Sequence, residues 1–548
     1  MNNQPPAFEF PPVVKPLLLE ALGKPFMAYV LGATEEEVEQ WFANEGDDFG
    51  SPQQTHALRQ LHVVLHAHGD SDPGLRQFNL SRILGLYQSE QDTTLVNVLR
   101  MIATGEAFAP VVLNEATEAL ALLVRDAYPL YLLPEDGSRF PHSFRSLYQH
   151  PTREAFETLA LREDAFVKLF PKGDEHLGDS ASTLRSTGQG GGVQLSMLAE
   201  TLIGSGWNAA RMHSSGLPSL HAHTRSTIEQ LDTLRSALQN KTAKVPVRIA
   251  FTGVLLNSDE PIDLGWGILR KLDSRDHHLV PRSTAGKLSG AGTDGVTVTI
   301  DYGGEVILDT TLEYRIQLKD LLPGDTWPVE LRGYERTQEL TECIQLGALL
   351  SQEPSAQETV MVIPAWFYTH DPLAQGLNMS WNDVRSGKGF IPKQIDANTA
   401  SAWKEFTVAV EANRTKYVDV AIRRTLRASV ERRDPSDVLV DAIIAWENLF
   451  GSRKGESTLR ICGSLAWLLE ADKARRFQLR SELGKLYDAR SNVVHGNKEL
   501  ASSELVPQAQ RALAVAIDAL RVMFTSRLDL LNELKTGDDR SNRLLMGG

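Results

Sequence analysis

The sequence predicts a multidomain α+β protein. A mainly helical N-terminal region spans residues 1–240, a β-rich middle domain 245–370, and an all-α helical bundle 400–534, with a flexible tail over 535–548. Three observations lead there. A chain of 548 residues is too long for a single hydrophobic core. Its hydrophobic period is helical in front, switches to alternation near residue 245, and turns helical again from about Thr399. The charge shifts with it: residues 1–399 hold 32 Lys+Arg against 50 Asp+Glu, a net −18, whereas 400–534 hold 21 against 18, a net +3.

In the front region, Ser51-Pro52 is a helix start, with a capping serine and a proline whose missing N–H costs nothing in the first turn. Ala57, Leu58, Leu61, Val64 and Leu65 follow at helical spacing, and Gly69 ends the run. Thr152 to Phe170 reads as one helix stopped by Pro171. Between Ser180 and Gly192 the Ser/Thr/Gly-rich stretch STLRSTGQGGG reads as a flexible loop.

In the middle, Val245, Val247, Ile249 and Phe251 alternate, as do Val296, Val298, Ile300 and Tyr302. Gly303-Gly304 before Val306 and Leu308 reads as a hairpin turn. Behind it, Asp434-Pro435-Ser436-Asp437 marks a helix start, and Leu439, Val440, Ile443, Ile444 and Leu449 line that helix. Gly496 is expected to close a later helix, and Ala512 to Leu531 forms the last one.

Composition excludes several classes. With 42% apolar and 23% charged residues the chain reads as globular. Two cysteines, Cys343 and Cys462, give neither a disulfide framework nor zinc-finger spacing and suit a reducing, cytoplasmic location. Residues 1–12 lack the basic-then-apolar pattern of a secretory signal, and no apolar run approaches eighteen residues, so no membrane is expected. His62 and His66 share a helix face, with His68 nearby, but no carboxylate or cysteine completes a ligand set. His221 and His223 fare no better, and Gly188–Gly192 lacks the Lys-Ser/Thr of a phosphate loop. Neither a metal nor a cofactor is expected. A net charge of −14 speaks against nucleic acid for the whole chain, yet the mildly basic C-terminal part leaves room for a local cationic cleft.

The candidate chemistry sits in LYDARSNVVHG, where Arg490 and His495 stand five apart. Histidine titrates near neutrality and serves as acid or base. Arginine stays charged and offers phosphate a planar fork. Spacing alone does not select this pair, because RSLYQH repeats it at Arg145 and His150. Context does: Arg145–His150 has no comparable surroundings and reads as coincidence. Five residues at 100° put positions 490 and 495 about 140° apart on an ideal helix, unless Gly496 loosens its end. Glu447, set among Ile443, Ile444, Trp446 and Leu449, is the third candidate. It either orients Arg490 or His495, or forms a structural ion pair, or lies exposed beside the apolar stripe. Asn492 either bonds phosphate or faces solvent. Arg423, Arg424, Arg427, Arg432 and Arg433 form a basic run, read as a solvated face or as an RNA-tracking surface.

The stretch from AIRRTLRASVERRDPSDVLVDAIIAWENLF to LYDARSNVVHGNK resembles the ApeA-like branch of the HEPN superfamily, over about residues 400–534. In that family a long helix precedes an acidic-Pro turn. A helix with an Asp…Ile-Ile-x-x-Glu-x-Leu-Phe pattern follows, matched by Asp441, Ile443, Ile444, Glu447, Leu449 and Phe450, and a third helix delivers Arg-x4-His. The resemblance implies a ribonuclease acting without metal, with His495 moving protons and Arg490 holding phosphate. It implies 2′,3′-cyclic phosphate ends and a homodimer whose two motifs line one cleft. It also implies an effector of bacterial antiphage defence, sensed or restrained through residues 1–399, whose trigger is a further partner. Ser491 departs from the Asn, Asp or His that often follows the motif arginine, and Asn497 stands where some relatives carry a tyrosine. A catalytically silent HEPN module that dimerises and binds RNA or protein is the rival reading.

Overall fold

The computed structural model describes all residues except 1–13, 47, 69–72, 110, 135–146, 148, 171–179, 284–285, 292–296, 319–332, 353–359, 375, 387–389, 453–456, 496–500 and 547–548. The chain is mixed α+β and falls into two compact units, each discontinuous in sequence. One comprises Met1–Val245, Glu313–Gly333 and Thr369–Asn378; the other comprises Pro246–Leu312, Tyr334–Tyr368 and Met379–Gly548.

The first unit is built on helices α1 (Lys15–Leu31), α2 (Glu35–Ala43), α3 (Pro52–His68), α4 (Pro73–Leu84) and α5 (Leu95–Thr104). Helices α6 (Ala116–Tyr131), α7 (Pro151–Ala160), α8 (Asp164–Leu169), α9 (Leu195–Arg211) and α10 (Leu220–Leu238) complete the set. Ser51-Pro52 does open α3, with Ser51 Oγ accepting from Gln54 N at 3.2 Å. Helices α9 and α10 cross tightly at Gly206, where a Cβ would stand 2.5 Å from the Thr227 Cα. Phe26, Phe156, Phe166 and Trp207 fill the core.

Two expectations change here. The helix expected over Thr152–Phe170 is two, α7 and α8, broken at a turn where Glu163 is gripped by Arg235 of α10 at 2.7 and 2.8 Å. Gly69 and Pro171 lie outside the described residues. The stretch expected as a flexible loop is a hairpin, Ser180–Arg185 pairing antiparallel with Gly190–Gln194, and Ile316–Leu318 adds a third strand. Gly188, at φ +82, makes the turn, and buried Thr183, Leu184 and Arg185 anchor it. A loop-like composition was outweighed by tertiary pairing.

A six-stranded sheet whose strands fall mainly in the second unit runs, in spatial order, Met379–Trp381, Ile363–Thr369, Ala243–Thr252, Val306–Tyr314, Gly267–Lys271 and Ile262–Asp263. Val247, Ile249 and Phe251 are buried, but so are Arg248 and Ala250 between them, so this strand is covered on both faces rather than one. Gly303-Gly304 does not join paired strands. Thr297–Asp301 pairs with Lys287–Ala291, whereas Val306–Tyr314 pairs with Gly267–Lys271, so the glycines carry the chain from one sheet to another. A Cβ on Gly304 would come within 2.9 Å of the Ala250 Cβ, which is why the turn is this small. Val296 lies outside the described residues.

Helices α11 (Gly333–Leu350), α12 (Ala397–Asn413), α13 (Asp419–Leu426), α14 (Pro435–Phe450) and α15 (Ser457–Leu469) belong to this unit. So do α16 (Lys473–His495), α17 (Ser502–Thr525), α18 (Asp529–Asn532) and α19 (Gly537–Leu545). Their shared core holds Leu346, Trp446, Leu483 and Phe524. The two units are therefore drawn differently from the expected segments 1–240, 245–370 and 400–534. The strands share a unit with the C-terminal helices, and α11, inside the expected β-rich stretch, buries Cys343, Leu346 and Leu349 against them.

The tail expected to be flexible over 535–548 is folded as far as Met546: Thr536 and Asp539 form a capping box, and α19 packs on α14 and α15. Arg540, 1% exposed, donates to the Leu449 and Asn448 carbonyls at 2.8 and 2.9 Å and so caps the end of α14. Among the described residues, no helix is long and apolar enough to cross a membrane.

Candidate active site

Helix α14 starts where the sequence says it should. Asp434 accepts from Ser436 N at 2.6 Å, Pro435 fills the first position, and Leu439, Ala442, Ile443, Trp446, Leu449 and Phe450 face the core. The Trp446 indole N–H fixes α14 to α17 by donating to the Ala512 carbonyl at 3.2 Å. Glu447 follows Trp446 around the helix and therefore emerges at the rim of the apolar face, half-buried. On α16, Leu483, Leu486 and Ala489 are buried, which turns Tyr487 and Arg490 to the same rim one helical step apart.

The two rims meet. The Tyr487 hydroxyl donates to Glu447 Oε1 at 2.7 Å, and Arg490 Nη2 stands 3.7 Å from Glu447 Oε2. A carboxylate in the last turn of a helix opposes the negative helix end, and the positive charges of Arg490 and Arg540 offset that repulsion. Burial, then the hydrogen bond and charge of Glu447, push the Tyr487 phenol up to about 12, so it stays protonated and donates. The Arg490 contact is an ion pair but longer than a hydrogen bond, and its buried Nε has no hydrogen-bond acceptor among the described residues. The guanidinium is thus held without being saturated, which suits a group that takes up a phosphate oxygen.

Two of the three predicted site residues, Arg490 and Glu447, are brought together. His495 is the last residue of α16, which runs helical through the motif, while its side chain, Gly496 and Asn497 lie outside the described part. Ser491 and Asn492 are half-buried. Helix α15, with Ile461 and Leu465 in the core, intervenes between α14 and α16, so the motif helix is not the third but the fourth from α13. Tyr487 was missed by sequence reasoning, although its place three residues before Arg490 on one helix was the available signal.

The basic run is largely committed elsewhere. Arg424 and Arg432 hold buried Asp441 at 2.5 and 2.8 Å, and Arg423 with Arg414 holds buried Glu342 at 3.1 and 2.5 Å. These are structural ion pairs, and they take three of the five arginines out of an RNA-tracking surface. In the second Arg-x4-His copy His150 is structural: it is buried, caps α7, and places Nε2 2.9 Å from Asp126 Oδ2; Arg145 lies outside the described residues.

Among the described residues no group of three or more His, Cys, Asp or Glu side chains is placed to hold a metal ion. His62 faces the core, where burial and then the neighbouring His66 lower its proton affinity. Cys343 and Cys462 are buried thiols pushed up to about 11 by that burial.

Comparison with known proteins yields no matching family model, no matching curated protein and no matching solved structure.

Proposed function

We propose that the chain is a HEPN-type endoribonuclease that cleaves RNA without metal. The observation that carries the reading is Arg490 tethered, but not saturated, by Glu447 where α14 and α16 meet. RNA supplies its own nucleophile. His495 takes the 2′-hydroxyl proton, O2′ attacks phosphorus, the bond to the 5′-oxygen breaks as that oxygen takes a proton from water, and His495 returns its proton to solvent. Arg490 holds the phosphoryl oxygens and stabilises their developing charge. The products are a 2′,3′-cyclic phosphate and a 5′-hydroxyl. A homodimer supplies the second motif of the cleft, because two positions about 140° apart on one helix do not face one phosphate. The acidic front of the chain restrains the nuclease until a trigger of antiphage defence is sensed, since its negative charge disfavours nonspecific RNA.

The test incubates the purified full chain with total RNA, with and without EDTA, and maps the cut ends. Arg490→Ala and His495→Ala are each expected to reduce cleavage by at least about 100-fold without loss of fold. A mixture of the two variants regains activity if the cleft draws on both chains. Cleavage lost in EDTA and restored by Mg²⁺ would replace this mechanism with a metal-dependent one. No cleavage by the wild type, with RNA still bound, would leave a silent HEPN module.

A further inference from the structure

Resting on that reading, we infer that Tyr487 is a positioning residue that keeps Arg490 available to phosphate by occupying Glu447. An arginine beside a carboxylate usually closes on it through two short parallel hydrogen bonds, about 2.7–2.9 Å each. Here it does not. Glu447 gives its Oε1 to the Tyr487 hydroxyl at 2.7 Å and meets Arg490 only at 3.7 Å through the other oxygen. The Arg490 Nε, which a closed fork would use, is left without an acceptor among the described residues. Tyr487 and Arg490 leave α16 three residues apart, so the phenol and the guanidinium compete for the same carboxylate from the same helix face. The phenol is the better placed competitor: its ring has two rotatable bonds and is itself half-buried. It pins the carboxylate at a distance from which Arg490 is oriented yet not consumed.

Removing the hydroxyl frees Glu447 to turn and clamp Arg490, which then presents fewer donors to RNA. Tyr487→Phe is therefore expected to raise the KM for RNA about tenfold, the scale of one charge-assisted hydrogen bond, with a smaller change in kcat. In a Glu447→Gln background, which cannot clamp the arginine, the same Tyr487→Phe change is expected to have less than about a twofold effect. A bond that merely ties α14 to α16 would behave differently. It would lower Tm in both backgrounds and leave the ratio of KM to kcat unchanged.

A second readout does not need turnover. A 2′-O-methyl RNA lacks the nucleophile, so its affinity for the full-length variants, read by fluorescence anisotropy, reports binding apart from cleavage, and the Arg490→Ala difference isolates the arginine's share. Wild-type protein that binds this RNA through Arg490 but never cleaves unmodified RNA would end the nuclease proposal and leave the positioning inference standing, provided the Tyr487–Glu447 dependence holds. Cleavage that needs Arg490 but is indifferent to Tyr487→Phe in both assays overturns the inference. So does an equal effect of that change with and without Glu447, or an RNA affinity that Arg490→Ala does not alter.

Discussion

Asp126 and Glu447 are carboxylates of the two units, each set among apolar neighbours and each close to one copy of the Arg-x4-His pattern. Asp126 lies fully buried in α6 and accepts hydrogen bonds from Thr93 Oγ1, Asn97 Nδ2 and Arg125 Nε at 3.0, 3.1 and 2.7 Å. His150 completes the set. Its Nδ1 accepts from Thr152 N at 3.3 Å, which places the proton of a neutral imidazole on Nε2, aimed at Asp126 Oδ2 2.9 Å away. Glu447 is half-buried and has one hydroxyl donor and one long ion pair. A buried carboxylate with both oxygens engaged has nothing left to offer a substrate and works as a joint, whereas an unsaturated cation at a rim is where chemistry is to be sought. Burial of a histidine beside an acid is therefore weaker evidence of catalysis than incomplete satisfaction of an arginine.

The largest effect that would break this contrast is on stability. Asp126→Ala removes the acceptor shared by three buried donors, Thr93, Asn97 and His150, and the half-buried Arg125, and is expected to cost about 3–5 kcal/mol in denaturant unfolding, the scale for a broken buried charge network. Glu447→Gln is expected to stay within about 1 kcal/mol, because its ion pair is long and partly solvated. Similar losses for the two would show that the Glu447 cluster is a joint as well.

The pH response sharpens the comparison at the level of the units. In the first, His223 and His370 are buried and held neutral at about 4, well below the ordinary 6.5. The unfolded chain binds their protons first, so the stability they contribute is lost as pH falls from about 6.5 towards 4, by a few kcal/mol in all. In the second, burial raises Glu305 to about 7 from 4.5. There the folded state binds the proton first, so its contribution is present below about 4.5 and lost as pH rises through 7. Between pH 7 and 5, exchange protection corrected for intrinsic rate should fall in α9 and α10 and rise along Val306–Leu308. Parallel changes in both units would contradict these assignments.

A further effect tests the packing of α19. Arg540→Ala removes the cap from the α14 carbonyls and is expected to lower stability by about 2 kcal/mol, seen as a drop in Tm of the full-length protein. A change near zero would mean that α19 leaves α14 unaffected.

What was legible in the sequence follows local rules. Ser51-Pro52 and Asp434-Pro435 announced their helices because capping chemistry acts within one turn. The alternation from Val245 to Phe251 announced a strand because a pleat has a period of two. Glu447 and Arg490 could be named as candidates because their local sequence resembles a family pattern, whereas residue type and spacing alone also fit Arg145 and His150. The Ser180–Gln194 hairpin, the crossing at Gly303-Gly304 and the packed helix α19 were not legible, because each depends on partners more than a turn away. Thr536 and Asp539 did carry a capping box in the sequence, but a polar helix with a buried arginine shows no apolar stripe.

By itself, then, the sequence determined the helical and extended stretches and placed a histidine and an arginine on one C-terminal helix. Tertiary structure decided which charges are spent. Arg424, Arg432 and His150 have the same chemistry as the candidate pair, yet folding commits them to Asp441 and Asp126, and it brings Tyr487 to Glu447 across 40 positions. Hydrogen-bond capacity is a local property of a side chain. Its satisfaction depends on which distant elements pack against it, and no period or motif encodes that.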